Sequence, residues 1–317
     1  IQFTPRRYLL CKIIQETEET FTIIPDMSQQ AKERYKKAPF KEATINKDYI
    51  HNIIVSLKCI PFTCLKFEKA FFPIRLHERS MDINSLPNEI LKHYELVNQA
   101  FIKTSKQDGS VSSIWENATY GPGTINSREK NVYLVIYGAN ALISLVILAK
   151  KAFIDTKFYF FETKSRNEAY YICGYLNAPV TIENIKKIGG TGAHGSLRSI
   201  HKRPFDFNFP KFKKKPTHLK LAEYAEKCEE FVKKFIEEWR MEMFNKYKNR
   251  SYCPYCLSIL TEKSLINHVE KCITKSELKL LTPNPLKINS EKDIIFKPQT
   301  IQKQLKNSIE YQDFYLN

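Results

Sequence analysis

The sequence predicts an α+β fold: a mixed or antiparallel sheet domain with flanking helices, a long amphipathic helix and a small ββα segment. Three observations point there. Short apolar runs rich in β-branched and aromatic residues, bounded by proline and polar clusters, fill the first half of the chain. Apolar residues then recur at three- and four-residue steps through 217–248. Finally, three cysteines and a histidine crowd between Cys253 and Cys272. The expected domains are 1–216 (α+β), 217–248 (long helix), 249–275 (small ββα unit) and 276–317 (a basic, loosely ordered tail).

The runs "YLLCKII", "TFTIIP", "IHNIIVSLKCIPF" and "AFFPIRL" are expected to be strands and short connections. Over 85–103, Ile90, Leu91, Tyr94, Leu96, Val97 and Phe101 suit one face of a helix. Residues 104–131 are polar and turn-rich, and a loop this long in a compact domain is usually functional or mobile. Three strand-like runs follow: "VYLVIY", "LISLVILA" and "FYFFET". The first two together approach the length of a membrane-spanning helix. Gly138, Ala139 and Asn140 place a turn signal at their centre, so a hairpin is expected and no membrane span. Ser165 and Glu168 form a capping-box pattern at the start of a helix running through "NEAYYICGYLN". A shorter helix, "IENIKKI", is expected to end at Gly189. In 217–248, Leu221, Ala225, Cys228, Val232, Phe235, Trp239 and Met243 mark the apolar stripe of the long helix.

The 317 residues carry a formal net charge of +16, with 21 Phe and 17 Tyr in a globular composition. Such a field favours a polyanionic partner, nucleic acid or an anionic membrane surface. No secretion signal is visible, so free thiols and a cytoplasmic location are expected, and the clustered cysteines point to metal rather than disulfides.

Cys253, Cys256, His268 and Cys272 have the spacing C-x2-C-x11-H-x3-C. Two ligands on a knuckle and two a helical turn apart suit tetrahedral Zn2+. Leu257, Leu260, Leu265 and Ile266 supply a small apolar core, too small to fold without the metal. Four strong ligands leave no open position, which makes the site structural. The segment resembles ββα zinc fingers of the Cys-Cys-His-Cys type, and its spacing does not choose between nucleic-acid and protein contact.

A basic stretch carries Lys186, Lys187, Arg198, Lys202, Arg203, Lys211, Lys213, Lys214, Lys215 and Lys220 against Asp206 alone. His194 and His201 lie among them, and these cations are expected to meet the phosphates of duplex DNA. Phe205, Phe207, Phe209 and Phe212 alternate with polar residues as one buried face. Within this stretch "GTGAHG" (190–195) matches the dinucleotide-binding pattern G-x-G-x-x-G. That motif must follow a strand, open a helix and meet an acidic residue about 20 positions on. Here a helix precedes it, Pro204 interrupts, and "KFKKK" occupies the acidic position, so no cofactor cradle is expected. His51, His77, His93 and His218 are scattered and read as surface or satisfied core histidines.

Several stretches in order resemble the C-terminal target-recognition part of γ-class N6-adenine DNA methyltransferases, including type IIG restriction–methylation enzymes. They are "IVSLKCIPFTCLKFEKAFFPIRL" (54–76), "VYLVIYGANALISLVILAKKAFIDTKFYFFET" (132–163) and "NEAYYICGYLNAPV" (167–180). "RSIHKRPFDFNFPKF" (198–212) and "HLKLAEYAEKCEE" (218–230) follow. The resemblance implies a strand-rich segment, a "D-E-A-Y-Y-L-x-x-L-N-S" helix, a basic "R-x-I-H-K-x-P" segment and a long helix, spanning roughly residues 50–245. The catalytic "[DN]-P-P-[YF]" is absent, "PNPL" at 283–286 does not supply it, and no F-x-G-x-G loop is present. The resemblance therefore implies sequence-specific recognition of duplex DNA by this segment, with residues of the loop 104–131 reaching base edges. Methyl transfer, S-adenosylmethionine and the flipped base would belong to an upstream domain or a partner subunit. The zinc finger lies outside the family pattern. The rival expectation is a non-enzymatic zinc-finger scaffold that binds another protein or RNA.

Overall fold

The computed structural model describes residues 8–26, 38–75, 82–104, 113–115, 131–138, 143–155, 158–188, 210–253, 259–261, 263–265, 268, 286–295 and 298–307. It is a mixed α+β fold with antiparallel sheets and several helices, divided into two compact units. The first comprises 1–230 with 306–317, and the second 231–305. Among the described residues no helix is long and apolar enough to cross a membrane.

The first unit opens with β1 (Leu10–Glu16), β2 (Thr20–Pro25), β3 (Ala43–Asn46) and β4 (Ile50–Ile54). Then come the two-residue strands β5 (Cys59–Ile60) and β6 (Thr63–Cys64), and β7 (Glu68–Phe71). Helix α1 (Asn88–Thr104) is followed by β8 (Tyr133–Gly138), β9 (Ser144–Leu148), β10 (Phe153–Ile154) and β11 (Phe158–Thr163). A six-stranded sheet has the order β10-β4-β7-β1-β2-β3. All its pairings are antiparallel except β10 with β4, which is parallel. On α1, Ile90, Tyr94, Val97 and Phe101 follow i, i+4, i+7, i+11 and are buried in one cluster with Tyr8, Leu10, Ile23, Ile45 and Phe71. Each such side chain contributes roughly 1.5–3 kcal/mol on burial. Leu96 falls off this stripe and is exposed, contrary to the expectation from its spacing. The long loop touches α1 where Ile114 is buried and its N–H donates to Asn98 Oδ1 (2.8 Å). Apart from 113–115, residues 105–130 lie outside the described residues.

The run that approaches membrane length is two paired strands. β8 and β9 are antiparallel, with Tyr133 opposite Leu148 and Tyr137 opposite Ser144, and β11 adds on the other side of β8. Of the expected turn residues, Gly138 is the last residue of β8, and Ala139 and Asn140 lie outside the described residues. Continuous apolarity has a plain cause: this sheet is covered on both faces. Val135 and Val146 join Ala169, Ile172, Cys173 and Leu176 in one cluster, whereas Leu134, Ile136, Leu145 and Ile147 join Ile54, Ile154 and Phe158 in another.

Helix α2 (Arg166–Asn177) supplies the first of those covers. Ser165 is its N-cap, accepting from Glu168 N. The reciprocal half of the box is replaced: Ser165 N–H donates to Thr163 Oγ1, whose hydroxyl donates to Glu168 Oε2. Ala178 ends α2, and its carbonyl starts α3 (Pro179–Ile188) by accepting from Ile182 N. Proline at the first helical position costs no hydrogen bond. Helix α4 (Pro216–Tyr247) runs from the first unit into the second. Its Ala222, Ala225 and Cys228 pack on α2, Tyr170 donates to Glu229 Oε2 (2.7 Å), and Arg166 pairs with Glu226. Gly174 makes the approach possible, since a Cβ there would lie 3.0 Å from that of Ala225.

In the second unit β12 (Ser251–Tyr252) pairs with β13 (Ile259–Leu260) on one side and β14 (Leu286–Lys287) on the other, both antiparallel. A capped turn at Glu291–Asp293 and helix α5 (Pro298–Asn307) follow. The region 276–317, expected to be loosely ordered, thus contains a strand, a turn and a helix. Ile288, Ile294, Ile301 and Leu305 in it are buried, because its sparse apolar residues suffice for a small core.

Candidate functional site

The basic stretch is described at both ends. Lys186 and Lys187 are exposed in the last turn of α3, and Lys211, Lys213, Lys214 and Lys215 are exposed just before α4. His194, Arg198, His201, Lys202 and Arg203 lie outside the described residues, as does "GTGAHG". The element before that glycine run is helix α3 rather than a strand, which agrees with rejecting a dinucleotide cradle.

An aromatic latch fixes the lysine run to α2. Tyr171 Oη donates to Pro210 O (2.8 Å), and its ring stacks on His218 at 4.4 Å between centroids. Phe212 is half-buried beside both rings, in line with its expected inward face. Lys213 N–H donates to His218 Nδ1 (3.1 Å), which requires a lone pair on that nitrogen. The His218 pKa is lowered to match, by desolvation first and then by the charges of Lys215 and Lys213. The latch therefore holds a neutral imidazole under a cationic run. None of Lys211, Lys213, Lys214 or Lys215 has a carboxylate partner among the described residues.

A second cationic feature was not predicted from the sequence. A cleft of about 340 Å3 is lined by Lys47, Lys69, Arg75, Lys150 and Lys151, with Asp48, Ile50, His51 and Asn52. Its cations come from three separated segments, brought together where β10 pairs with β4; Asn52 Nδ2 donates to Lys151 O (3.1 Å) at that seam. Lys47 is paired with Glu16 (2.6 Å) and Arg75 lies 3.8 Å from Asp48. Lys69, Lys150 and Lys151 have no carboxylate partner among the described residues. The signal in the sequence was the pair Lys150–Lys151 directly after an apolar strand.

Of the four candidate metal ligands, Cys253 and His268 are described. Cys253 is wholly buried directly after β12, and His268 is half-buried at a helical position. Leu265, in the helical stretch 263–265, is buried and Leu260 on β13 is half-buried, two of the four expected core residues. Cys256, Cys272, Leu257 and Ile266 lie outside the described residues. Among the described residues no three His, Cys, Asp or Glu side chains converge on one point.

His51, on the cleft wall, and His93 are both buried. His51 Nε2 meets Ile74 O at 2.7 Å in the buried sheet. His93 is sandwiched edge-on by Phe40 and Phe71, its Nε2 without a hydrogen-bond partner among the described residues, and burial lowers its pKa to about 4. His77 lies outside the described residues. No family model, curated protein or solved structure matches the chain.

Proposed function

We propose that this chain is the DNA target-recognition module of an adenine-specific DNA methyltransferase or restriction–modification enzyme. It binds duplex DNA, as a cytoplasmic protein, while catalysis resides on an upstream domain or a partner subunit. The observation that carries the reading is the latched run Lys211–Lys215: four exposed cations, without a carboxylate partner among the described residues, on a segment that Tyr171 and His218 keep from moving freely. Pre-ordered cations lose less entropy on meeting phosphates, and each phosphate neutralised releases counterions. Lys186, Lys187, His194, Arg198, His201, Lys202 and Arg203 would extend the same surface. The basic cleft and the net charge of +16 support it further. S-adenosylmethionine belongs to the proposed catalytic partner, because this chain carries neither of the family's catalytic motifs.

Zinc belongs to the same reading. Cys253, Cys256, His268 and Cys272 are a donor set of three thiolates and an imidazole, which suits tetrahedral Zn2+. The buried Cys253 at the mouth of the β12–β13 hairpin fits the first ligand position of a ββα finger.

The test is duplex binding by fluorescence anisotropy at several salt concentrations. Changing Lys211, Lys213, Lys214 and Lys215 to Ala should weaken binding and flatten the log–log salt slope by about 0.9 for each phosphate left without its lysine. An unchanged affinity and slope would remove these lysines from the interface. A salt-insensitive affinity for a protein partner, with none for duplex DNA, would favour the scaffold reading instead.

A further inference from the structure

Residues 59–64, Cys-Ile-Pro-Phe-Thr-Cys, fold back on themselves so that two thiols face each other. β5 and β6 are antiparallel with Cys59 opposite Cys64 and Ile60 opposite Thr63. Leu65 N–H donates to Lys58 O at 2.8 Å, which makes Lys58/Leu65 a hydrogen-bonded pair. Cys59/Cys64, the next rung, is therefore a non-hydrogen-bonded pair, the kind with Cα atoms about 4.5 Å apart and side chains closest. That separation lies within the range of about 4.4–6.8 Å that a disulfide spans.

The turn between them is fixed from outside. Phe62 has φ of 69°, a left-handed conformation that a non-glycine residue keeps only when its surroundings hold it. Its N–H donates to Ser144 O (2.8 Å), it bridges to Leu145, and its ring is buried. The two thiols consequently cannot drift apart by opening of the hairpin.

Their environments differ in the sense that thiol–disulfide exchange needs. Cys59 is buried, its Sγ 3.5 Å from Val55 O, and its pKa is raised well above the thiol range by the hydrogen bond to Cys64 and then by burial. Cys64 is half-buried, and its pKa is lowered, chiefly by the hydrogen bond from Cys59; burial opposes this, the Lys66 backbone assists, and the smaller effects of Glu68 and Lys58 act in opposite directions. Burial instead raises the pKa of Cys11 to about 12 and of Cys228 to about 11, and raises that of Cys173. Cys64 is thus the favoured attacking thiol among these, with a resolving partner directly across the ladder.

We propose that Cys59 and Cys64 form a dithiol–disulfide switch, closed by a small disulfide such as oxidised glutathione into a cross-strand bridge. The Cys64 thiolate attacks one sulfur of the oxidant, forms a mixed disulfide and expels one glutathione thiolate. Cys59 gives its proton to that thiolate and attacks the Cys64 sulfur, expelling the second, which takes up from water the proton that the Cys64 thiol released on ionising. Two thiols and one oxidised glutathione become one protein disulfide and two reduced glutathiones, the protein losing two electrons. The bridge ties down the hairpin whose tip docks on β9. It rests on no assumption about DNA.

Lys58 and Lys66 flank the pair, so a tryptic peptide, 59–66, contains both thiols. The reduced 317-residue chain is incubated with oxidised glutathione, quenched by alkylation, digested and mass-mapped. The expected product is that peptide without alkyl groups and about 2 Da below its reduced mass, returning to the dithiol when excess reduced glutathione is added. Cys64→Ser should leave Cys59 as an alkylatable thiol, and Cys59→Ala should stop at a glutathione adduct on Cys64. A stable adduct on Cys64 in the wild-type chain, a bridge from Cys64 to any other cysteine, or faster reaction of Cys11, Cys173 or Cys228 would overturn the proposal. The wild-type mapping decides the matter even if the Cys59 variant does not fold.

Discussion

Asn177 completes both backbone hydrogen bonds of Ser144: its Oδ1 accepts from Ser144 N at 3.0 Å, and its Nδ2 donates to Ser144 O at 2.8 Å. Ser144 opens β9, an outer strand of the three-stranded sheet, whose order is β11-β8-β9. Gly138 N–H donates to Ile143 O, so the next rung, Tyr137/Ser144, turns the Ser144 N–H and C=O outward. Ser144 O also accepts from Phe62 N–H at 2.8 Å, so the fully buried Asn177 matters most to the Ser144 N–H, for which it supplies the acceptor.

Asn177→Ala should destabilise the first unit by about 2–3 kcal/mol, because the Ser144 N–H is then buried without an acceptor. Asn177→Asp keeps the acceptor and loses the donor, and should also destabilise. Urea unfolding followed by circular dichroism measures both; wild-type midpoints would refute the edge-capping role.

Gly174→Ala would gain about 1 kcal/mol of helix propensity on an isolated helix. Here the new methyl would meet Ala225 Cβ at 3.0 Å and Leu221 Cδ1 at 3.2 Å, an overpacking worth about 1–3 kcal/mol. A net loss is expected, and Ala225→Gly added to it should recover part of the loss. A lone Gly174→Ala variant more stable than wild type would show that α2 and α4 have room to separate.

His93 couples stability to acid. Its folded pKa of about 4 lies below the ordinary 6.5, so between those values the unfolded chain binds the extra proton. Stability is full above pH 6.5 and falls as pH drops toward 4, by up to about 3 kcal/mol from this group alone. His93→Phe, which suits the Phe40–Phe71 sandwich, should flatten the difference between pH 7 and pH 4.5 in denaturant titrations. Equal slopes in the two proteins would clear His93 of the effect.

If the chain holds duplex DNA as proposed, the basic cleft should take part. Lys150→Ala with Lys151→Ala should weaken binding several-fold and lower the salt slope by up to about 1.8 if each lysine meets one phosphate. Loss of affinity from the Lys211–Lys215 changes but none from these would confine the interface to the latched run.

Metal analysis by atomic emission should find about one zinc per chain, lost in Cys253→Ser or after chelation, with partial melting of the small sheet. Zinc content unaffected by Cys253→Ser would exclude that residue as a ligand.

Much of the architecture was legible because burial writes itself into local patterns. The stripe Ile90, Tyr94, Val97, Phe101 announced α1, and the apolar runs on either side of the turn signal at 138–140 announced paired strands, though not that their sheet is covered on both faces. Ser165 marked the start of α2 correctly, although the box closes through Thr163 because that hydroxyl reaches the Ser165 N–H first. What escaped the sequence was assembled at long range. Asn52 meets Lys151 across 99 positions, so no window of the sequence contains the cleft. β14 is two residues long and carries no periodicity of its own. Of the candidate interface, the lysines were legible as charge, whereas the latch was not: Tyr171 and His218 are 47 positions apart, and neither looks unusual in its neighbourhood.

The position of β14 bears on where this protein can be cut. A fragment ended just after Cys272, where the cysteine–histidine spacing invites a boundary, would discard Leu286 and Lys287 from beside β12. It would also discard the donor groups Ile288 N–H, to Arg250 O, and Ile295 N–H, to Tyr252 Oη. The truncated piece would expose a raw strand edge next to the buried Cys253, an invitation to self-association in any expression trial. A C-terminal fragment that keeps this sheet and its backbone bonds therefore extends at least through Ile295.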